Sequence, residues 1–564
     1  MKKEVNMKNI NIIGLIIFIG IATGCHSILD VENLSAVSEE DVWNDPLLAE
    51  AYVNKIYADN LPGWDRGIAN NSDESNGGDS YMYGQLTENS VNYWPYGQIR
   101  NINTLFAEID NGSLDDAIKD KLKGEAHFFR AWRYFELVKR YGGIPIILEP
   151  QELTDDLLVE RNSTAEVIER VIQDIDAAID LLPEVSAESG DNDGRVHKGT
   201  ALAIKGRFLL NFASPQFNPE NDSEIWEAAY SANKAAKNYL NEMGFGLFED
   251  FSGLWINEMN KEALFVQRYL YPNNIHNWSA GTRPLDMSQG ASNSNQPTWE
   301  MVQAFPMIDG RPIDGHPEYD ELYYWQNRDP RFAATIAYNG CVYELSGLTG
   351  RIQYTYIGSE VNSPTQTGFY CRKGIDESQT AIEAYQSGTD WIELRYAEVL
   401  LNLAEAANAT GRSAEAYEEL IAIRTRAGIE PGLDNLYGLE PLLDRGELHK
   451  VILDERRVEF AFEAKRHWDL RRNRLFEEEL NGTRRHGLRI DLKEGVTEDQ
   501  LVGADLEQDY DQYFEHEEIL VDLQFDINWR EEYYFYAIPQ QHLQLNSHLE
   551  QTLGWPGGTF DPLP

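Results

Sequence analysis

The sequence predicts a mainly α-helical protein in which helix pairs form a scaffold, long irregular segments lie between them, and strand is minor. Three observations carry that expectation. Apolar residues recur at spacings of three and four over many stretches. Those stretches stop at glycine or proline, and the helices come in pairs of about 34 residues with alanines and aromatics available for mutual contact. A hydrophobic fraction of 42% with 11% aromatic residues in a chain of 564 is enough for a large core.

In chain order, the first clear helix is expected at 99–109, and Trp94 and Tyr96 just ahead of it read as packing residues. Over 120–141, Leu122, Ala126, Phe129, Trp132 and Phe135 fall on one face, and Gly142, Gly143 and Pro145 end the helix. Ser163 or Thr164 can cap the next one, in which Val167, Val171, Ile175, Ala178 and Leu182 form a stripe before Pro183. Residues 198–213 and 224–241 make another pair, ending near Gly244. Later helices are expected at 391–409, ending at Gly411, and at 413–427, ending at Gly428. The last is a long charged helix over 448–473. On it Glu455, Arg456, Glu459, Glu463, Arg466, Asp469 and Arg471 sit three or four apart, a pattern suited to i,i+4 pairing and to bidentate contacts with other helices. They read as scaffold residues, and Trp299, Phe305, Trp391 and Trp468 read as packing. Helix pairs of this kind resemble tetratricopeptide units, without a strict repeat.

Residues 1–24 read as a lipoprotein export signal. Lys2, Lys3 and Lys8 give a positive start, 10–21 are apolar, and Ala22, Thr23 and Gly24 are small residues leading into Cys25. The apolar run is shorter than the roughly 20 residues a membrane-spanning helix needs. Cys25 is therefore the expected lipidated first residue of the mature chain, followed by a tether over 25–38 and a single domain over 39–564. Loss of 1–24 takes the formal charge from -46 to -48. So acidic a chain repels phosphates, which argues against a nucleic-acid partner. Beyond Cys25 only Cys341 and Cys371 remain, and sequence leaves open whether they are bridged.

Two segments differ in composition. Residues 60–98 are rich in Gly, Asn, Ser, Tyr and Trp, and 271–299 are similar; both are too long for simple connections. Residues 494–532 are heavily acidic and read as a solvated surface excursion. No HExxH, GxSxG or GK[ST] pattern occurs, and the eleven histidines show no metal-ligand spacing. No cofactor is called for. Calcium is a candidate only through the acidic loops, and Asp191 to Gly194 lacks the glycine and glutamate positions of an EF-hand loop.

Five segments together carry a family resemblance: 124–147, 297–313 with 327–332, 395–428, 452–472 and 533–555. They include GEAHFFRAWRYFELVKRYGGIPII, NRDPRF, ILDERRVEFAFEAKRHWDLRR and YYFYAIPQQHLQLNSHLEQTLGW. In this order they resemble the SusD/RagB-type outer-membrane nutrient-binding lipoproteins. Ala464 stands where that family usually has glycine, and Ser547, Thr552 and Leu553 replace its usual NP and QNPG pattern.

The resemblance implies a surface-exposed lipoprotein of the outer membrane that captures oligo- or polysaccharide and passes it to a SusC-like TonB-dependent β-barrel, with no catalysis. Its platforms would be aromatic faces for sugar C–H groups, with amides and charged groups for hydroxyls. On that reading Trp64, Tyr81, Tyr83 and Trp278 are the expected stacking residues, and Asn273, Asn274 and Arg283 the hydrogen-bonding ones. The alternatives are a peptide receptor like the RagB branch, an all-helical glycoside hydrolase whose paired carboxylates sequence cannot single out, and a scaffold that binds only its barrel.

Overall fold

The computed structural model describes residues 39–65, 67–290, 294–360 and 364–563. The export signal, Cys25 and the 25–38 tether lie outside the described residues.

The helices used below are α1 (Pro46–Asn60), α2 (Tyr96–Glu108), α3 (Asp116–Tyr141), α4 (Thr164–Leu181), α5 (Lys198–Ala213) and α6 (Ser223–Glu242), then α7 (Tyr396–Ala409), α8 (Ser413–Ala427), α9 (Arg445–Glu459) and α10 (Arg466–Arg472). Helices α3 and α4, α5 and α6, and α7 and α8 pack as successive pairs, and α7 also lies against α6 and α9. One core runs through them, with Phe128, Phe129, Phe135, Phe208, Val399 and Leu420 all buried. The start of α4 is settled by a capping box: the Ser163 side chain accepts from the Glu166 amide while Glu166 accepts in return from the Ser163 amide. Helix α8 ends where expected, with Gly428 left-handed at φ 86°.

Among the described residues strand is minor and comes as three antiparallel pairs. β1 (Ala263–Gln267) pairs with β4 (Trp391–Arg395), β2 (Ile336–Ala337) with β3 (Tyr370–Cys371), and β5 (His486–Leu492) with β6 (Phe514–Leu520). Two expectations are corrected here. Residues 391–395 are strand, and α7 begins only at Tyr396, because Trp391, Ile392 and Leu394 align with Gln267, Val266 and Phe265 of β1. The long helix over 448–473 is broken: α9 stops at Glu459, Phe462 and Ala464 take left-handed φ of 60° and 59°, and α10 starts at Arg466. The acidic stretch 494–532 is partly ordered by β6, whose seven residues pair in register with β5. Cys341 and Cys371 are both buried and free, so the described structure has no bridge between them.

The end of α9 and the break after it place Glu455, Glu459 and Glu463 in one buried network with arginines from elsewhere in the chain. Glu459 accepts from Arg331 at 2.8 Å, from Arg395 at 2.5 Å and from Arg426. Arg395 also reaches Glu262 at 2.7 Å and Glu463 at 2.8 Å, and Arg331 reaches Asp329 and Glu455, both at 2.7 Å. Burial would push the Glu459 carboxyl up, but Arg426, Arg395 and Arg331 together hold it well below the usual carboxylate range.

The left-handed Ala464 explains why glycine suits this position. An alanine there carries a steric cost of about 1–2 kcal/mol that glycine avoids, offset in part by the extra backbone freedom glycine loses on folding, about 0.5–1 kcal/mol. Ala464→Gly is therefore expected to stabilise the fold by roughly 0.5–1 kcal/mol. A denaturant midpoint below that of the parent would refute this.

Candidate functional site

The first of the two unusual loops is fastened from beneath. Asp73 is held by both ends of Arg466 at 2.9 Å and by Arg457 at 3.0 Å. Arg485 donates to the backbone carbonyls of Asn70, Ser72 and Ser75, and His467 Nδ1 lies 2.9 Å from the Asn71 carbonyl. The second loop joins it there. Ser75 pairs with Pro297, the Asn76 amide donates to the Gln296 carbonyl, and the Thr298 hydroxyl donates to the Asp73 carbonyl at 2.5 Å. The two segments that stand out by composition thus meet over one floor.

Above that floor three hollows follow one another. A deep cavity of about 340 Å³ lies among α3, α5, β4, α7 and α10. It shares Asp65, Ile68, Tyr93, Arg140 and Trp468 with an outer cleft of about 600 Å³ that Tyr81 and Tyr536 also line. That cleft shares Asp79 with a third, of about 490 Å³, lined by Tyr83 and by the amides of Asn70, Asn76, Gln296, Gln366 and Gln524.

The side chains differ along this groove. In the third cleft the Tyr83 hydroxyl donates to Asp522 at 2.6 Å, and its ring lies 5.6 Å from Phe525. Burial and that carboxylate raise the Tyr83 phenol well above its ordinary value, so it stays a donor. Asn295, fully buried with φ 55°, also lines this cleft, and neither atom of its amide has a hydrogen-bond partner among the described residues. Side-chain amides offer donors and an acceptor together, which suits a ligand whose hydroxyls do the same. In the outer cleft Tyr81 meets His467 and Tyr536 edge-on, at 6.0 and 6.3 Å. At the passage to the deep cavity, the Arg140 guanidinium lies 4.4 Å from the Tyr93 ring and 4.9 Å from Trp468, and the Lys139 ammonium is 3.8 Å from Trp468.

The expected site residues divide. Tyr81 and Tyr83 stand in the groove. Trp64 and Trp278 stack on each other at 4.9 Å as part of an aromatic plug with Trp391 and His276. Trp278 is only 2% exposed, and its indole N–H donates to the Lys373 carbonyl at 3.2 Å. Arg283 is fully buried and spent on Ser279, Asp376 and Gln379. Neither Trp278 nor Arg283 offers a surface to a ligand, because both tie the 271–299 loop to its neighbours. Asn273 and Asn274 are exposed in a turn that starts at Leu270, and Asn274 caps the Arg268 carbonyl. Three groove residues escape a reading by sequence. Trp468 sits on a helix and reads as packing, Tyr93 gives no signal beyond the composition of its loop, and Arg140 reads as a helix end. Among the described residues no three His, Cys, Asp or Glu side chains are grouped to hold a metal, and no helix is long and apolar enough to cross a membrane.

The SusD family profile matches residues 253–555, more than half of the chain. The chain belongs to the SusD family. A second profile, described as starch-binding and associating with the outer membrane, matches 30–210. Among curated SusD-like relatives, protein P2 of Formosa agariphila is 27% identical over 407 residues, covering 68% of this chain and 71% of its own. A SusD-like protein of Bacteroides fragilis has the same fold at a TM-score of 0.74 and 25% identity, over 92% of this chain and 99% of its own. A SusD-like carbohydrate-binding protein of the same species follows at 0.73 and 22%, over 91% and 100%. Fold class and family thus agree with the reading from sequence.

Proposed function

We propose that this SusD-family protein captures oligo- or polysaccharide at the outer face of the outer membrane and hands it, without catalysis, to a SusC-like TonB-dependent barrel. The observation that carries the capture step is the amide-lined third cleft beside Tyr83, open to the outer cleft beside Tyr81. A hydroxylated chain lying there meets a donor or acceptor at each amide and a ring face at each tyrosine. The carbohydrate-binding relative and the outer-membrane profile support the same reading. Attachment through Cys25 would keep the body beside its barrel, and affinity spread over several weak contacts lets the glycan leave for transport.

The test is retention of the protein on gels containing polysaccharides of different backbone and charge. Retention by none would reject capture. Tyr81→Ala is expected to lower affinity for a retained glycan about fivefold to tenfold, near 1 kcal/mol, with the helical circular dichroism of the parent retained. Undiminished retention would remove Tyr81 from the groove's working surface. Uptake that persists in cells lacking the neighbouring barrel would reject the delivery step.

A further inference from the structure

The deep cavity differs in charge from the rest of the molecule. The chain carries a formal charge of -46, yet among the described residues seven cationic side chains line this cavity against five carboxylates. Most of these cations are spent: Arg207 pairs with Glu393 and Glu398, Arg456 with Asp469, and Lys139 and Arg140 with Glu136. Arg133 is not. It has no carboxylate within ion-pair distance among the described residues, and its three hydrogen bonds, each 2.5 Å, go to neutral acceptors: the Asn60 side chain, the Tyr93 hydroxyl and the Asp59 carbonyl. These occupy Nε and one N–H of each Nη. Each Nη therefore keeps one N–H without a partner among the described residues, two charged donors for a further acceptor.

We propose that the deep cavity receives an acidic group of the captured glycan, a carboxylate or a sulfate, on the N–H groups that Arg133 leaves without a partner. The inference rests on the glycan-capture reading and narrows it to chains that bear such groups. The path is open: Tyr93, Arg140 and Trp468 border both the cavity and the outer cleft, so a chain in the groove can turn its end inward. Along that path Lys139 and Arg140 share the carboxylate of Glu136, and Asp65, which also borders both hollows, adds a negative charge. The field of the whole protein repels polyanions at long range, but it is screened beyond about 8 Å at physiological salt. Recognition of the acidic group therefore depends on Arg133 itself.

The experiment uses the whole lipoprotein in detergent. Alginate and pectate present carboxylates, carrageenan presents sulfates, and starch and xylan serve as neutral probes. The expected result is retention of at least one acidic polysaccharide. Calorimetry on its oligosaccharides should then show binding at least about tenfold tighter than that of the carboxyl-reduced or desulfated form. Loss on carboxyl reduction identifies a uronic acid as the source, and loss on desulfation a sulfate ester. Arg133→Gln should erase the difference between the acidic and neutralised forms. Should that variant not fold, competition in the parent protein by free glucuronate or inorganic sulfate gives the same answer. Retention of neutral probes alone, or equal affinity for the acidic and neutralised forms, overturns the inference and leaves capture standing. Retention of none overturns both.

Discussion

Replacing Glu459 by alanine is expected to cost the fold at least about 3–5 kcal/mol, the usual loss when one partner is removed from a buried ion pair. The side chains of Arg331, Arg395, Arg424, Arg426 and Lys373 are at most 9% exposed and face Asp329, Glu262, Glu455, Glu459 and Glu463, each at most 2% exposed. Five positive groups thus meet five negative ones, and Glu459 serves three of the arginines. Its loss leaves one unmatched charge in a place where water cannot repair it, together with guanidinium N–H groups that lack acceptors. Glu459→Gln keeps the volume and one acceptor, and is expected to fall between the parent and the alanine variant. Urea unfolding of the three proteins gives the order. A loss below about 1 kcal/mol for the alanine variant, the size of an exposed pair, would show that the network contributes no more than surface charges do.

The second large effect concerns pH. Glu74 is 1% exposed; one carboxyl oxygen accepts from the Phe462 amide at 3.1 Å, and the other has no hydrogen-bond partner among the described residues. Burial, with Asp73 adding to it, raises its pKa from 4.5 to about 8, against the opposing pull of the Phe462 amide, Arg466 and Arg457. The folded protein therefore keeps a proton that the unfolded chain releases near its ordinary pKa. The contribution of Glu74 to stability is highest below that value, falls as pH rises through the window between 4.5 and about 8, and levels off above it. At about 1.4 kcal/mol per pH unit the whole decline from this group is of the order of 5 kcal/mol. Glu74→Gln resembles the protonated acid and does not titrate. Its stability relative to the parent should climb across this window, so that the variant is the more stable protein at pH 9. A constant difference between the two proteins from pH 5 to pH 9 would show that Glu74 ionises freely.

Much of the scaffold is legible because the physics there is local. Helices α5 and α8 fall where their periodicity places them, and Gly428 ends α8 in the conformation only glycine adopts cheaply. The failures lie where distant partners decide. Residues 391–395 are a short apolar run joined to a helix, and only the presence of β1 makes them strand. The break between α9 and α10 is hidden because an alanine, and no glycine, takes the left-handed turn. The site shows the same division. Composition marks both loops, yet it cannot tell Trp278, which plugs a gap, from Trp468, which faces one. The facing residue is set by which segments converge, and the groove takes its walls from residues as far apart as Asn70 and Gln524.

Arg466, Arg457 and Arg485 grip the floor of the first loop through Asp73 and through backbone carbonyls, whereas the groove's rim is made of side chains such as Tyr81, Gln366 and Gln524. Fastening therefore falls mainly to these arginines, while His467 and Asp522 serve both parts: His467 also lines the outer cleft, and Asp522 pairs with Arg485 and accepts from Tyr83. Away from those shared residues, an exposed rim side chain such as Gln524 can be exchanged without disturbing the anchors. The same fastening lowers the entropy a ligand must overcome, since the surface it meets is already set.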